Sequence, residues 1–225
     1  MIKKRVYYLL IGLVVTANAL AATQSADQNF YLRLDAGHSK AEKLNNDERV
    51  YRKFNPKKAD IFGLGAGYNV SNHFRADITL SNRDYKLNNS DTVNGIAIND
   101  TQKISSTTLM LSGYYDIGTY RNFTPYLAVG TGIAMNRAGD LKIVHSFGNI
   151  IYPGKTNVNV AYQIGAGTTV KLTEKMDIDL NYKFINMGYI KTTSGIATDS
   201  SITVLSKAKA HLKSHECMIG IRFNL

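Results

Sequence analysis

The stretch from Met176 to Phe184 constrains the fold more than any other part of the sequence. Its residues alternate between apolar and polar side chains without a break. A period of two places the two sets on opposite faces of a β-strand, whereas a helix would scatter them around its circumference. The apolar face can pack on a core in a water-soluble sheet or face lipid in a membrane barrel. The strand alone leaves both possibilities open.

The N-terminal segment has the three parts of a secretory signal peptide. A positively charged start precedes an apolar run, and the small residues of a cleavage site follow (Lys3, Lys4 and Arg5; Val6–Ala17; Ala19–Ala21). The apolar run is shorter than the ~20 residues that a membrane-spanning helix needs. We therefore predict a signal peptide over residues 1–21 and one domain over residues 22–225, with an uncleaved membrane anchor as the alternative.

Strand-like segments recur along the rest of the chain, and short and long connections alternate strictly between them. The predicted strands cover residues 30–37, 60–70, 73–86, 104–117, 123–134, 158–171 and 176–184, with a last strand that ends at residue 225. Hairpin loops usually have about 2–5 residues, so four polar segments of roughly 17 to 25 residues need a reason.

An outer-membrane barrel accounts for this pattern of connections. Such barrels have short turns on the periplasmic side, long loops outside and an even number of strands. A secreted sandwich would have no cause to place every long loop at one end. We therefore predict an all-β fold: an eight-stranded antiparallel up-and-down transmembrane β-barrel with four long extracellular loops and short periplasmic turns, located in the outer membrane.

The predicted inward face of the strands carries charges of both signs. An eight-stranded barrel has an interior that side chains just fill, and unpaired charges there are costly. We therefore expect a structural plug of ion pairs, with an ion-conducting path as the alternative, formed by Arg33, Asp35, Arg75, Asp77, Asp177, Asp179, Lys183, Glu216 and Arg222. Because the sequence has no tryptophan, the interfacial girdles are expected to consist of tyrosines, namely Tyr68, Tyr115, Tyr126 and Tyr182.

No residue pattern predicts catalysis. The five histidines are scattered without a recoverable Ser–His or Asp–His arrangement, and the Gly-x-Gly repeats lie within predicted strands rather than at a strand-to-helix turn. The single cysteine, Cys217, has the outward parity of a small lipid-facing residue. We therefore predict that the protein is not an enzyme and has no catalytic residues, no metal site and no cofactor.

Two strand segments carry a resemblance to a known group of proteins. Phe123–Gly132 and Ala161–Gly167 resemble the fifth and sixth strands of small opacity-type outer-membrane barrels. The chain length, the basic loops and the segment Gly220–Leu225 resemble the rickettsial surface adhesins within that group. The resemblance covers essentially the whole of residues 22–225. It implies an outer-membrane protein that attaches to host cells and captures the serum protein vitronectin, which would aid complement resistance.

The long loops are the predicted binding surface. The chain has a formal net charge of +10, and basic clusters attract acidic partners. The expected partners are host surface proteins, with vitronectin implied by the resemblance, and outer-membrane lipid and lipopolysaccharide, but no nucleic acid. A small channel, or a structural envelope barrel without a specific ligand, is the alternative. The candidate binding residues are Arg137, Lys142, His145, Tyr152 and Lys155 in loop three, and Lys191, Lys207, Lys209 and Lys213 in loop four.

Overall fold

The structure is a computed structural model that describes residues 29–42, 58–93, 96–145, 148–191, 195–197, 203–204 and 209–225. No helix in these ranges is long and apolar enough to cross a membrane. The predicted signal peptide over residues 1–21 lies outside the described residues, so the domain boundary at residue 22 stays a prediction. The strands are β1 (Phe30–Ala41), β2 (Ala59–Asn69), β3 (Phe74–Val93), β4 (Ile96–Asp116), β5 (Phe123–Ala138), β6 (Leu141–His145), β7 (Gly148–Tyr152), β8 (Thr156–Lys171), β9 (Met176–Lys191), β10 (Gly195–Ala197), β11 (Thr203–Val204) and β12 (Lys209–Asn224).

Eight of these strands form a closed antiparallel barrel, as predicted. The order around the barrel is β4, β3, β2, β1, β12, β9, β8 and β5, and β5 pairs with β4 to close the sheet. Each barrel strand therefore has two neighbours, and closure removes the exposed sheet edges. Several barrel strands extend past their predicted ends, because β-pairing continues into segments that the sequence assigned to loops.

The register fixes the shape of the barrel. Stepping between directly paired residues once around the sheet leads from Phe30 back to Lys40 of the same strand, through Tyr68, Ala76, Gly113, Val129, Ile164, Phe184 and His215. The stagger is thus 10 residues per circuit (40 − 30). A barrel with this kind of stagger has strands tilted by roughly 35–45° and, with eight strands, an interior that side chains fill.

The outer face of the barrel is an apolar band. It exposes, among others, Phe62, Leu64, Ile78, Leu80, Leu109, Leu111, Leu127, Val129, Ile164, Leu180, Ile219 and Ile221. A soluble protein rarely leaves so large an apolar surface in water, whereas a transmembrane barrel turns it to lipid. In β9, Leu180 is exposed while Asp177 and Asp179 are buried. The alternation in this strand is compatible with a water-soluble sheet or a membrane barrel, and the exposed apolar face shows that it belongs to a membrane barrel.

Glycines make room in the interior where large side chains cross it. A Cβ at Gly67 would lie 2.3 Å from Cζ of Tyr31, and one at Gly167 would lie 2.5 Å from the Tyr126 hydroxyl. On the outer face, a Cβ at Gly113 would meet no heavy atom within 4 Å. The inward glycines of β2 and β8 therefore act as sockets for tyrosine rings, as a narrow barrel requires.

A bulge in β9 changes which residues face outward near the long-loop end. Gly188 has φ +76°, and its N–H donates to the Asn186 side-chain oxygen at 2.9 Å. The register with β12 is irregular at this level, between His211 and Lys213. Beyond the bulge, Ile190 is buried and Lys191 is exposed. Strict alternation from Met187, which is buried, would have placed Lys191 inside the barrel.

The glycine sockets give a prediction about stability. Gly67→Ala should lower the free energy of unfolding by about 1–3 kcal/mol, because the new methyl group displaces the buried Tyr31 ring. Gly113→Ala, on the outer face, is the matched control and should be neutral within about 0.5 kcal/mol. Urea unfolding of protein refolded in lipid vesicles, followed by tyrosine fluorescence, measures both. Equal stability of the two variants would contradict the socket role of Gly67.

Candidate functional site

Above the long-loop end of the barrel, several strands continue as one sheet. β3 and β4 pair up to Val93 and Ile96, whereas β2 pairs with β3 only as far as Arg83. The outer part of β4 pairs with β6, which pairs with β7, and β10 and β11 follow in the same sheet. We call this sheet the crown: residues 84–93 and 96–103 of β3 and β4, together with β6, β7, β10 and β11.

Three candidate binding residues lie in the β6–β7 hairpin of the crown. Lys142 is paired with Thr101 of β4 on one side and with Ile151 of β7 on the other. His145 is the last residue of β6, and Tyr152 is the last residue of β7. The sequence pattern predicts one long loop over residues 135–157, whereas the structure has the two strands of this hairpin there. The backbone register holds these residues in an ordered sheet next to β4.

Arg137 and Lys155 lie at the base of the same hairpin. Both are exposed, Arg137 near the end of β5 and Lys155 just before β8. The N–H of Ala138 donates to the carbonyl of Lys155 at 3.1 Å, and the N–H of Gly154 donates to a carboxylate oxygen of Asp140 at 2.9 Å. These bonds close the hairpin base and keep Arg137 and Lys155 on one side of the barrel rim.

Three further candidate residues lie on the outer wall of the barrel rather than in a loop. Lys191 and Lys209 are directly paired across β9 and β12, and Lys213 is paired with Asn186. The ammonium of Lys209 lies 4.0 Å from the centre of the Tyr189 ring. We call Lys191, Lys209 and Lys213 the wall lysines. Lys207 lies outside the described residues, so the described candidates form two groups, one in or beside the crown and one on the wall.

The short-turn end of the lumen contains a network of buried ion pairs around Arg33. Its guanidinium donates to Asp35 at 2.8 and 2.9 Å and to Asp77 at 2.9 Å. It also donates to the Tyr114 hydroxyl at 3.0 Å, and Tyr31 donates to Asp77 at 3.2 Å. All five side chains are buried. The inward orientation and pairing predicted for Arg33, Asp35 and Asp77 are confirmed.

Arg75 occupies the same region of the lumen. Its guanidinium lies over the rings of Tyr114 and Tyr126, at 4.2 and 4.5 Å from their centres, and its Nε donates to Asp116 at 3.3 Å. Nearby, Arg222 is paired with Asp177 at 2.9 Å. Stacking on two aromatic faces partly replaces hydration for a charge held in a narrow interior.

Tyr126 was wrongly assigned to the interfacial girdle. It is only 2% exposed, points into the lumen and donates its hydroxyl to Asp179. The reason is the parity of β5, where Leu127 and Val129 are the exposed residues. The outward positions predicted for Tyr115 and Tyr182 are confirmed: both rings are exposed, and the Tyr182 hydroxyl is 2.7 Å from Nδ1 of His215.

A second group of charges lies further along the lumen. Arg83 and Glu216 are completely buried and form a two-pronged ion pair, and Arg83 also donates to Thr108 at 2.9 Å. Lys183 lies 3.6 Å from Glu216, and Ser39 donates to Glu216 at 2.9 Å. The inward positions of Lys183 and Glu216 were predicted. Arg83 was left out, although it shares the parity of Arg75 and Asp77 on β3.

The long-loop end of the lumen is mainly apolar, with the buried side chains of Ser106 and Asn136 hydrogen-bonded to each other at 2.7 Å. Its buried cluster includes Ile104, Ile185, Met187, Ile190 and Leu212. Between the charged groups there is a cavity of about 20 Å³, lined by Arg33, Gln163 and Lys183 among others. That volume accommodates about one water molecule. Among the described residues, ion pairs at the short-turn end and in the middle of the lumen, and an apolar cluster at the long-loop end, occupy the interior, which disfavours a conducting path.

The described residues offer little for metal binding or nucleophilic chemistry. Within them, no three His, Cys, Asp or Glu side chains come together in a way that could hold a metal ion. Cys217 is exposed on the outer face, as its parity predicted. His38 and His215 lie on the outer wall and pair with the carboxylates Asp60 and Glu42, at 3.1 and 3.3 Å.

Comparison with known proteins agrees with this architecture. A family model described as "Outer membrane protein beta-barrel domain" matches residues 9–206. A protein of Rickettsia prowazekii (strain Madrid E) named "Putative adhesin" is 24% identical, over 99% of this chain and 100% of the relative.

Two solved structures have a similar fold. The crystal structure of Neisserial surface protein A superposes with a TM-score of 0.51 at 19% identity, covering 90% of this chain and 100% of that chain. The outer membrane protease OmpT from Escherichia coli superposes with a TM-score of 0.54 at 10% identity, covering 91% and 99%. At these identities the likeness concerns the fold alone.

The buried ion pair in the lumen gives a prediction about stability. Glu216→Ala should lower the free energy of unfolding by about 3–5 kcal/mol, because it leaves the Arg83 charge buried without its carboxylate. Glu174→Ala is the control, since Glu174 is paired with Lys171 at 2.9 Å in an exposed turn, and it should cost about 0–1 kcal/mol. A double-mutant cycle with Arg83→Ala measures the coupling by urea unfolding. A coupling close to zero would contradict the pairing.

The filled lumen gives a prediction about ion conduction. Refolded protein in planar lipid bilayers should show no steady conductance, because ion pairs and an apolar layer occupy the interior. A general porin in the same bilayers is the positive control. Reproducible conductance steps that disappear after heat denaturation of the sample would contradict a filled barrel.

Proposed function

The chain belongs to the outer membrane protein beta-barrel domain family, and on this premise we propose that it is a surface adhesin whose crown binds host-cell proteins. It is an outer-membrane protein, with its apolar outer face in the bilayer. Neither this family nor the name of the rickettsial relative indicates an enzyme. The barrel serves as the anchor, and binding takes place at the long-loop end, outside the cell.

The continuous sheet of the crown is the observation that carries this proposal. The outer part of β4 pairs with β6, β6 pairs with β7, and β7 pairs with β10. Segments from three different loops therefore share one hydrogen-bonded sheet. A protein surface built in this way loses less conformational entropy on binding than separate flexible loops would. Binding residues also concentrate on loop regions that a rigid scaffold positions.

The charge of the crown hairpin suggests the chemistry of the ligand. Arg137 and Lys155 at its base are exposed, and Lys142 and His145 lie in β6. Basic groups on one side of a surface attract acidic segments and accelerate their association. The adhesin name of the Rickettsia prowazekii relative supports host attachment. Vitronectin, which the sequence resemblance implies and which has an acidic segment, is part of this proposal, together with a contribution to complement resistance.

Neutral substitutions in the crown hairpin test the proposal. The variant Arg137→Gln, Lys142→Gln and Lys155→Gln, displayed on whole bacteria, should bind host cells and immobilised vitronectin at least tenfold more weakly, because the attraction for acidic segments is lost. Binding of the unaltered protein should fall as salt rises from about 0.05 to 0.5 M, since salt screens exposed charges.

The wall lysines provide the matched control. Lys191→Gln, Lys209→Gln and Lys213→Gln remove the same number of charges outside the crown, and host binding should stay within about twofold of the unaltered protein. Surface display of every variant is checked by protease sensitivity of intact cells. Unchanged host binding by the crown variant, or an equal loss with both variants, would contradict binding by the crown.

A further inference from the structure

One side of the crown ends in a long strand that has no second neighbour among the described residues. β3 and β4 stay in register without a break up to the pair of Val93 with Ile96. On its other side, β3 pairs with β2 only as far as Arg83. Residues 86–93 of β3 therefore form a sheet edge of about 26 Å at ~3.3 Å per residue, which we call the β3 edge.

Every second residue of the β3 edge points its backbone hydrogen-bonding groups away from β4. The carbonyl of Lys103 in β4 accepts from the N–H of Gly139 at 2.7 Å and so points away from β3. Lys103 is directly opposite Lys86, and opposite residues in an antiparallel pair either bond each other or both face away. The N–H and C=O of Lys86 therefore face the open side of β3. Because the register is unbroken, the same holds for three further residues, Asn88, Ser90 and Thr92.

Apart from two charges of opposite sign, Lys86 and Asp91, the β3 edge lacks the features that keep edge strands from pairing. Protected edges are very short, or they carry a proline or a bulge. At the opposite side of the crown, the last strand is β11, which has only two residues. Residues 86–93 contain neither proline nor glycine, and their pairing with β4 shows no register shift. The β3 edge is therefore a suitable template for an added strand.

Geometry excludes the pairing of two β3 edges in one membrane. Symmetric copies in a bilayer are related by an axis along the membrane normal, and barrel strands tilt by roughly 35–45° from the barrel axis. The β3 strands of two such copies would cross at about 70–90°, whereas paired strands differ by roughly 20–25°. Because the β3 edge lies at the end of the barrel proposed to face the host, we assign it to a host protein.

The charge at the start of the β3 edge indicates which strand it accepts. The Lys86 side chain is exposed, and the described lysines that form ion pairs with carboxylates are Lys103, Lys171 and Lys183, not Lys86. A strand added to β3 would place one residue directly opposite Lys86. An opposite charge stabilises such a cross-strand pair and a like charge destabilises it. The added strand should therefore carry an acidic residue at this position.

We propose that the β3 edge binds an extended segment of a host protein as an added β-strand, with an acidic residue of that segment facing Lys86. This proposal rests on host binding by the crown and specifies how part of the ligand is held. Main-chain hydrogen bonds along the edge supply affinity, and the residue opposite Lys86 supplies selectivity. β3 and the β6–β7 hairpin lie on the two sides of β4 in one sheet, so the same ligand can contact both.

Amide hydrogen exchange tests the proposal residue by residue. Protein in lipid nanodiscs is allowed to exchange alone or with vitronectin as the probe, and NMR reads the amides after quenching and dissociation. In the free protein, the amides that face the open side should exchange at least tenfold faster than those of Leu87 and Asn89, which face β4. Vitronectin should slow the amides on the open side at least tenfold and leave the other two unchanged. The amides on the open side are those of Lys86, Asn88, Ser90 and Thr92.

Paired variants separate strand addition from contact through side chains. Asn88→Pro with Ser90→Pro removes two donors on the open side but leaves the ladder with β4, because neither N–H takes part in it. Vitronectin binding to cells that display this variant should fall at least tenfold. Asn88→Ala with Ser90→Ala keeps both N–H groups and should stay within twofold. Folding of every variant is verified by its heat-dependent shift in gel mobility.

Charge reversal at Lys86 tests the selectivity. The probes are two short peptides of alternating threonine and valine, one with a central glutamate and one with a central lysine. The unaltered protein should bind the glutamate peptide at least fivefold more tightly than the lysine peptide, and Lys86→Glu should reverse this order. Lys171→Glu is the matched control, because Lys171 lies at the short-turn end of the barrel, and it should leave the order unchanged.

Three results would overturn the proposal. Slow exchange of the open-side amides in the free protein would show that another segment of the chain covers the edge. Bound vitronectin without slower exchange of these amides would place the ligand elsewhere on the crown. Equal loss of binding with the proline and alanine pairs would show that side chains, not the backbone, make the contact.

The same experiments distinguish failure of strand addition from failure of host binding. If the crown variant Arg137→Gln, Lys142→Gln and Lys155→Gln loses vitronectin while the proline pair retains it, only strand addition is wrong. If the unaltered protein binds neither host cells nor vitronectin, yet the glutamate peptide slows exchange of the open-side amides, the edge accepts a strand and host binding by the crown is wrong.

Discussion

The pairing of buried charges inside the barrel is the interaction on which the rest of the structure depends. A barrel in a bilayer must present an apolar exterior, so the polar residues of its alternating strands face a narrow lumen. Charges there persist only when paired and hydrogen-bonded. Arg33 of β1 pairs with Asp35 in its own strand and with Asp77 of β3, and Arg83 of β3 pairs with Glu216 of β12. The Arg33–Asp77 and Arg83–Glu216 pairs join strands that are distant in the sequence. The glycine at position 67 leaves the space that the ring of Tyr31 needs beside this network.

A filled and internally bonded barrel also explains how the crown can be an extended sheet. β3 and β4 leave the barrel already paired and in register, so each added crown strand forms on an existing edge rather than nucleating alone. The β6–β7 hairpin is further held at its base by the Asp140–Gly154 and Ala138–Lys155 bonds. The rigidity that the lumen provides is thus carried into the region proposed to bind the host ligand.

The barrel strands could be predicted from the sequence because lipid and lumen act on opposite faces of every strand and enforce alternation, as in Met176–Phe184. The crown strands could not be predicted, because above the bilayer neither face of a strand meets lipid. Residues 141–152 are therefore not required to alternate between apolar and polar side chains. Tyr126 was misassigned because an amphipathic ring suits both a polar lumen and an interface, and only the parity of β5 decides. The direction of Lys191 depends on the bulge at Gly188, which no periodic pattern reveals.

The type of cation follows the environment that it meets. In the described lumen the paired cations are mainly arginines, Arg33, Arg75, Arg83 and Arg222, joined by Lys183. A guanidinium offers five donors in a fixed plane and stacks on aromatic rings, so one side chain can satisfy several acceptors where water is scarce. The described outer wall instead carries lysines such as Lys103, Lys191 and Lys209, whose long apolar stems can lie along the surface while the ammonium reaches water. Arginine therefore predominates where one cation must satisfy several acceptors in the narrow lumen, and lysine where the ammonium can reach water.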